Sequence, residues 1–474
     1  MIDPSTAATP GRGPMSDDAA VEALRAAVRI PTVSHRNPAE NDRETFDDFI
    51  EELAARFPLL HEGCEVVRLS GDALLLRWPA NADAAVGQNV NAEVGRHAGQ
   101  HAGRQPIVLM AHIDVVPIDP DDSWTHPPFD AVLADGLLWG RGTLDCKGSL
   151  IALCVAAERL LANGFAPNRD IWFSFGCDEE VAGAAAKVAV DELSSRGVEP
   201  WFVLDEGGAI ALDALPGVSK PLAVIGVAEK GLVDVELRTT DSGGHASTPA
   251  QRGATARLAR AIVRIDDDPF PPNMPAASVQ MLRTAASYAR FPIRQAITAA
   301  AHSPRLLAMA LQRLGPESAA MTRTTAVVTQ LRGAPGANVI AATATAMVNM
   351  RVMVGETVAA AVDRIRRTIK DKTVAVSVIS SSEPSPVSPI DDAAYRLLVT
   401  VLAEVAADVV AVPYIVMAAT DSRHFHRQWP RVYRFFPFRM TKEQRVSLHN
   451  VDERIAVVDY LEGIRWYSRL MESV

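Results

Sequence analysis

The sequence predicts an α/β fold: a mixed-sheet catalytic domain interrupted by an inserted ferredoxin-like α+β domain. Two observations carry this. Short apolar runs recur that stop at turn residues, as buried strands do. Residues 107–111 run into His112-Ile113-Asp114, residues 171–175 run through Gly176-Cys177 into Asp178-Glu179-Glu180, and residues 201–204 run into Asp205-Glu206-Gly207-Gly208. From Glu229-Lys230-Gly231 the texture changes to period-two alternation over 232–238, 324–331 and 343–353, with helical patterns over 255–265 and from Gly355 to about 370, and a last strand over 374–379. Strand-helix-strand-strand-helix-strand is the ferredoxin-like order.

Each element follows in turn. Residues 1–18 are rich in Pro, Ala, Gly and Ser and lack an apolar signal region, so a disordered tail is expected, with Met15 as an alternative start. Val21, Leu24 and Val28 give residues 17–30 the spacing of an amphipathic helix. Residues 80–105, rich in Ala, Gly and Asn, read as a surface loop, and its His97 and His101 as solvated side chains. Residues 137–148 form a glycine-punctuated turn that carries Asp145. The apolar stretch 150–161, stopped by Asn163-Gly164, is a helix, so Asp145 lies near a helix N-terminus where the dipole favours an anion. The catalytic domain is expected over 19–228 and 383–474, with the insert over 229–382. Within the insert, residues 266–315 are a Pro-rich, then helical, embellishment.

At 474 residues the chain holds two or three domains. Lys+Arg 47 against Asp+Glu 57 gives a net charge of −10, which argues against a nucleic-acid partner. The four cysteines have neither zinc-finger nor disulfide-framework spacing and fit a reducing cytoplasm. No apolar stretch of about 18 residues occurs, so neither a membrane span nor a membrane partner is expected.

In open α/β sheets, sites lie at the carboxyl ends of strands. One acidic strand end is ordinary loop solvation, and a lone strand-end histidine is more often a satisfied core residue. Three such ends offering imidazole and carboxylate to one edge concentrate negative charge, and His with Asp/Glu and no thiolate suits a divalent metal such as zinc. Asp145 has two oxygens and can bridge two metals. His449 is a further candidate far down the chain.

These residues carry a resemblance. His112-Ile113-Asp114-Val115-Val116-Pro117, then Gly140-Arg141-Gly142-Thr143-Leu144-Asp145-Cys146-Lys147-Gly148, Asp178-Glu179-Glu180, Gly243-Gly244-His245-Ala246-Ser247 and the late His449 resemble the M20 family of zinc-dependent metallopeptidases and amidohydrolases, from about residue 15 to the C-terminus. Asp205-Glu206-Gly207-Gly208 and Ala419-Thr420-Asp421-Ser422-Arg423-His424-Phe425 resemble the branch that holds the yeast-type carboxypeptidase S and the mammalian N-acyl amino acid hydrolases. Cys146 stands where relatives often have Met, Ala or Asp.

The resemblance implies two zinc ions per subunit, with cobalt or manganese also compatible. One takes His112, Asp145 and Asp205, the other Asp145, Glu180 and His449, about 3.5–4 Å apart. It makes Glu179 the general base. Asp114, two residues beyond His112 on the same strand face, accepts the second ring N–H of His112. His245, from the insert, steadies the oxyanion in the active site of the partner subunit. Arg351, with Asn338 13 residues earlier, holds the substrate carboxylate and carbonyl. The insert is then a lid and dimerisation domain. The expected protein is a cytoplasmic, homodimeric dizinc hydrolase of small peptides or N-acyl amino acids with a free carboxylate. The alternatives are an N-succinyl or N-acetyl amino acid deacylase of biosynthesis and a non-catalytic metal-bound binding protein. Arg423, His424 and His426 receive no role.

Overall fold

The computed structural model describes residues 13–69, 71–81, 104–215, 217–300, 303–313 and 315–474. Residues 1–12 of the expected tail, and the loop histidines His97 and His101, lie outside the described residues. Residues 17 and 18, placed in the tail from sequence, belong to the first helix. The helix Asp17–Arg29 is capped by Ser16, whose hydroxyl accepts the Ala19 N–H at 3.2 Å, and two aspartates in its first turn favour the dipole.

The chain divides into two compact units: Met1–Ile225 with Ser388–Ala411 and Thr420–Val474, and Gly226–Val387 with Val412–Ala419. The short return of Val412–Ala419 to the second unit is invisible in sequence. It arises from long-range pairing, in which the Lys230 N–H donates to the Val416 carbonyl at 3.0 Å.

In the first unit a large mixed sheet places Glu65–Arg68, Leu74–Trp78, Ile171–Gly176, Ile107–His112, Phe202–Asp205 and Val432–Arg434 side by side in that order. Ile107–His112 runs parallel to both its neighbours, and Phe202–Asp205 runs parallel to Val432–Arg434. Leu74–Trp78 is antiparallel to Ile171–Gly176. The three central strands are buried along their whole length, which is why they read as continuous apolar runs. Val108 and Met110 pack with Ala186, Val190, Leu193 and Phe425 of two helices, leaving Ile107 and Leu109 for the opposite face. The helix Lys147–Ala162 packs on the same strand and on the last helix, Val457–Glu472. Thirteen of its residues are buried, so it has no polar face to show.

A small antiparallel sheet joins Arg454–Ala456 to Leu137–Trp139, and that strand to Val132–Ala134. It brings the C-terminal stretch that carries His449 beside the turn that carries Asp145.

The second unit has a four-stranded antiparallel sheet in the order Thr325–Arg332, Thr343–Val352, Gly231–Thr240, Ala375–Ser382. Two helices, Ala254–Asp267 and Val358–Ile369, cover one face. The alternation reads directly as burial: Val233, Val235 and Leu237 from one strand and Ala346, Val348 and Met350 from the next meet Leu258, Ile265, Val362 and Ile365. Each such aliphatic side chain contributes about 1.5–3 kcal/mol when fully buried. Among the described residues no helix is long and apolar enough to cross a membrane.

Candidate metal centre

Parallel pairing puts the carboxyl ends of Ile107–His112, Ile171–Gly176 and Phe202–Asp205 on one edge, so the turns that follow them meet there. His112 ends the first strand. Its Nδ1 lies 2.9 Å from the Asp114 carbonyl and 3.3 Å from the Asp114 carboxylate. With Nδ1 held, Nε2 points into the cluster, 3.1 Å from Asp145 Oδ1 and 3.4 Å from Glu206 Oε2. Asp114 is itself tied down, accepting Ser34 Oγ at 2.6 Å and the N–H groups of Glu179 and Glu180 at 3.3 and 3.2 Å. One buried carboxylate thus orients the imidazole and the acidic turn together.

Asp145 precedes the helix Lys147–Ala162. Its second oxygen, Oδ2, lies 3.0 Å from His449 Nε2, and that same nitrogen is 3.1 Å from Glu180 Oε2. His449 sits at φ 57° in a turn followed closely by Glu453, which is fully buried. Glu453 accepts the N–H groups of Gly142, Leu144 and Asp145 and pairs with Arg141 at 2.8 Å. A single carboxylate therefore holds the backbone that presents Asp145 to the segment that presents His449. Truncating one member of such a buried pair costs about 3–5 kcal/mol.

Asp205 ends its strand and Glu206 opens the bend that follows, and their side chains diverge. Asp205 Oδ2 accepts the Ser422 N–H at 2.9 Å, while the Glu206 carboxylate faces His112. The geometry favours Glu206 over Asp205 as the third group on the His112 side. Sequence reasoning weighed only the first acid of this pair. Adjacent side chains leave an extended chain in opposite directions, which raises the question of which acid points inward but does not answer it. Arg141 and Asp421 stand within motifs quoted above but were given no role, and Ser34 and Glu453, also without one, are marked by no local pattern.

Charge is crowded here. Burial, then the Glu206 charge, push the Glu179 carboxyl well above the usual carboxylate range. Burial pushes Glu206 up to about 8, and burial with the Asp205 charge pushes Asp421 up to about 8. Hydrogen bonds to Asp145 and Glu180 raise the His449 imidazole to about 10. Packed this close, the carboxylates repel one another, and a divalent cation among them is the charge that lets them ionise together. The donor set fits one. His112, Asp145 and Glu180 each offer an atom within 4.8 Å of the others, as do His112, Cys146 and Glu206. Glu180 Oε1 is buried with no hydrogen-bond partner, an acceptor aimed at something other than protein. Burial raises the Cys146 thiol well above its ordinary value, which makes it the poorest donor of the group.

His245, Asn338 and Arg351 lie in the second unit. His245 is exposed, and its Nδ1 lies 2.8 Å from Ser247 Oγ. Gly244–His245 pairs antiparallel with Val339–Ile340, and the Ala246 N–H donates to the Asn338 carbonyl at 3.1 Å, so His245 and Asn338 are neighbours. Arg351 is half-buried on Thr343–Val352, opposite Leu232 and Thr325. His424 and His426 are on the helix Ser422–Gln428, and His426 Nε2 lies 3.2 Å from Ser388 Oγ.

A carboxylate shared between two imidazole-bearing flanks, at the carboxyl edge of a mixed α/β sheet, is the chemistry of a metal-dependent hydrolase. The sequence places it among known ones: residues 108–473 match peptidase family M20/M25/M40, and the chain belongs to that family. It is 32% identical over 465 residues to the probable carboxypeptidase S-like 2 of Dictyostelium discoideum, covering 97% of this chain and 86% of that one. It is 32% identical over 460 residues to the human N-fatty-acyl-amino acid synthase/hydrolase PM20D1, covering 95% and 87%. Among solved structures, the fold is similar to an M20 family metallo-carboxypeptidase, Sso-CP2, from Sulfolobus solfataricus, with TM-score 0.69 at 16% identity over 96% of this chain and 98% of that one. It is also similar to human carnosine dipeptidase 1, with TM-score 0.66 at 17% identity over 97% of each.

Proposed function

We propose that the chain is a dizinc hydrolase that cleaves the amide bond of N-acyl amino acids and small peptides with a free carboxylate. The observation that carries the reading is Asp145, whose two carboxylate oxygens address different imidazoles, Oδ1 at His112 and Oδ2 at His449, as a carboxylate shared by two cations does. One metal would be held by His112, Asp145 and Glu206, the other by Asp145, Glu180 and His449. When bound, the metals supply Lewis-acid polarisation of the amide carbonyl and a more acidic water.

The chain's own groups do the rest. Glu179 takes a proton from the attacking water and passes it to the leaving nitrogen, so that a C–O bond forms, the C–N bond breaks, and a carboxylate and an amine result. Asp114 keeps the His112 ring oriented through Nδ1. Following the resemblance, His245 steadies the oxyanion, Asn338 holds the carbonyl and Arg351 grips the substrate carboxylate. The adjacency of His245 and Asn338 supports a shared task. The names of the relatives support the substrate class, since both the carboxypeptidase S-like protein and the N-fatty-acyl-amino acid hydrolase point to a free carboxylate beside the amide. We further propose a homodimer, with the insert over 229–382 as lid and dimerisation domain, and a cytoplasmic location, which four buried free thiols support.

The test is metal content by mass spectrometry together with hydrolysis of a panel of N-fatty-acyl, N-acetyl and N-succinyl amino acids and dipeptides. Two zinc ions per chain and chelator-sensitive turnover are expected. Turnover that survives complete metal removal would overturn the reading.

A further inference from the structure

We propose that the helix pair Ile293–Ala300 and Pro304–Gln312 of the second unit docks on an anionic lipid surface. Between Pro269 and Pro316 the chain carries five arginines, Arg283, Arg290, Arg294, Arg305 and Arg313, and no lysine, aspartate or glutamate, although the whole chain has a net charge of −10. All five are exposed. Apolar side chains are exposed among them: Phe291 at 79%, Leu306 at 61%, Met309 at 48% and Tyr288 at 39%. Tyr288 and Phe291 lie on the connection from the helix Ala276–Ala286 into the first of the pair, and these three helices pack in succession. Leu307, Ala308 and Leu311 are buried, so the second helix has an inner face. Leu306 and Met309, three residues apart, share the outer one. Arg305 and Arg313, four residues before and after Met309, border it.

Exposed apolar side chains concentrated on successive packed elements mark an interaction surface, and the charge decides the partner. A second copy across a two-fold axis would bring this patch against itself, arginine against arginine. A nucleic acid would satisfy the guanidinium groups and leave Phe291, Leu306 and Met309 in water. A layer of anionic headgroups over acyl chains satisfies both, with guanidinium on phosphate and the apolar side chains at the acyl boundary. The expectation of no membrane partner rested on the lack of a spanning segment, and a helix pair lying on the surface needs none. The inference stands apart from the proposed reaction, although a lipid surface is also where long-chain N-acyl amino acids collect.

The test is co-sedimentation of the full chain with vesicles of phosphatidylcholine, alone or with about 30 mol% phosphatidylglycerol. Retention on the anionic vesicles should exceed that on neutral ones about tenfold or more, and should fall steeply as salt rises. The triple variant Phe291→Ser, Leu306→Ser, Met309→Ser should lose retention while keeping its melting temperature and its hydrolysis of a short, soluble N-acetyl amino acid. A second variant, Arg290→Gln, Arg294→Gln, Arg305→Gln, should lose the preference for anionic vesicles, and it carries the test if the first melts early. The proposal fails if wild type ignores both vesicle types or binds them equally, or if both variants sediment like wild type. It also fails if the apolar variant merely converts a dimer to a monomer, for then a second copy covers the patch.

Discussion

At the scale of single residues, the site separates groups by which way a side chain leaves the backbone. Glu179 and Glu180 diverge from one short turn, and only Glu180 comes within 3.1 Å of His449. If Glu179 is the base proposed and Glu180 the ligand, Glu179→Gln is expected to keep full metal content and to lose about 10²–10⁴-fold in kcat. Metal analysis beside steady-state kinetics checks this, and a variant that sheds zinc refutes the role. The pair Asp205 and Glu206 poses the same question with a sharper answer. If the site holds the two metals proposed, Glu206→Ala should lose one of them, whereas Asp205→Ala should keep both and lower the melting temperature through its lost bond to the Ser422 N–H. The reverse pattern would return the ligand role to Asp205.

At the scale of elements, strand ends carry the candidate site, and a helix beside them buries a titratable histidine. The helix Ser422–Gln428 supplies the backbone N–H that holds Asp205 and buries His426, whose Nε2 lies 3.2 Å from Ser388 Oγ. Burial, then the Arg434 charge, lower the His426 imidazole to about 3. The unfolded chain takes up that proton near pH 6.5 while the folded chain refuses it until about pH 3. Between these values the unfolded state binds more protons, so stability falls as the pH drops through that window, by on the order of 4 kcal/mol at its lower end. Above pH 6.5 this group contributes no slope. His426→Gln should flatten the acid limb of a urea-midpoint profile measured from pH 7 to 4. A profile that keeps its wild-type slope would place the acid sensitivity elsewhere.

At the scale of the whole molecule, the candidate metal ligands all belong to the first unit and His245 to the second. If the protein is the homodimer proposed, with His245 serving the partner's site, Glu179→Ala and His245→Ala homodimers should each be nearly inactive. Co-expressed, they should recover roughly a quarter of wild-type activity, because half of randomly paired dimers are mixed and each of those has one working site. Mixed dimers isolated with two different tags and found inactive would show that His245 does not act across the dimer.

Much of this was legible in the chain itself. Apolar runs that stop at acids mark buried strands whose carboxyl ends carry a site, because a strand covered on both faces has no room for polar residues until it leaves the sheet. The alternation after Gly231 marks a sheet with one covered face, because side chains alternate across a strand. What the tertiary structure alone decided is which groups meet. Glu453 reaches the Asp145 turn from more than 300 residues away, Ser34 reaches Asp114, and Ser422 claims Asp205 so that Glu206 is left to face His112. Nothing local announces such pairs. A buried carboxylate is satisfied by whichever donors the fold brings to it, and that choice belongs to the packing of distant segments rather than to the residues beside it in the chain.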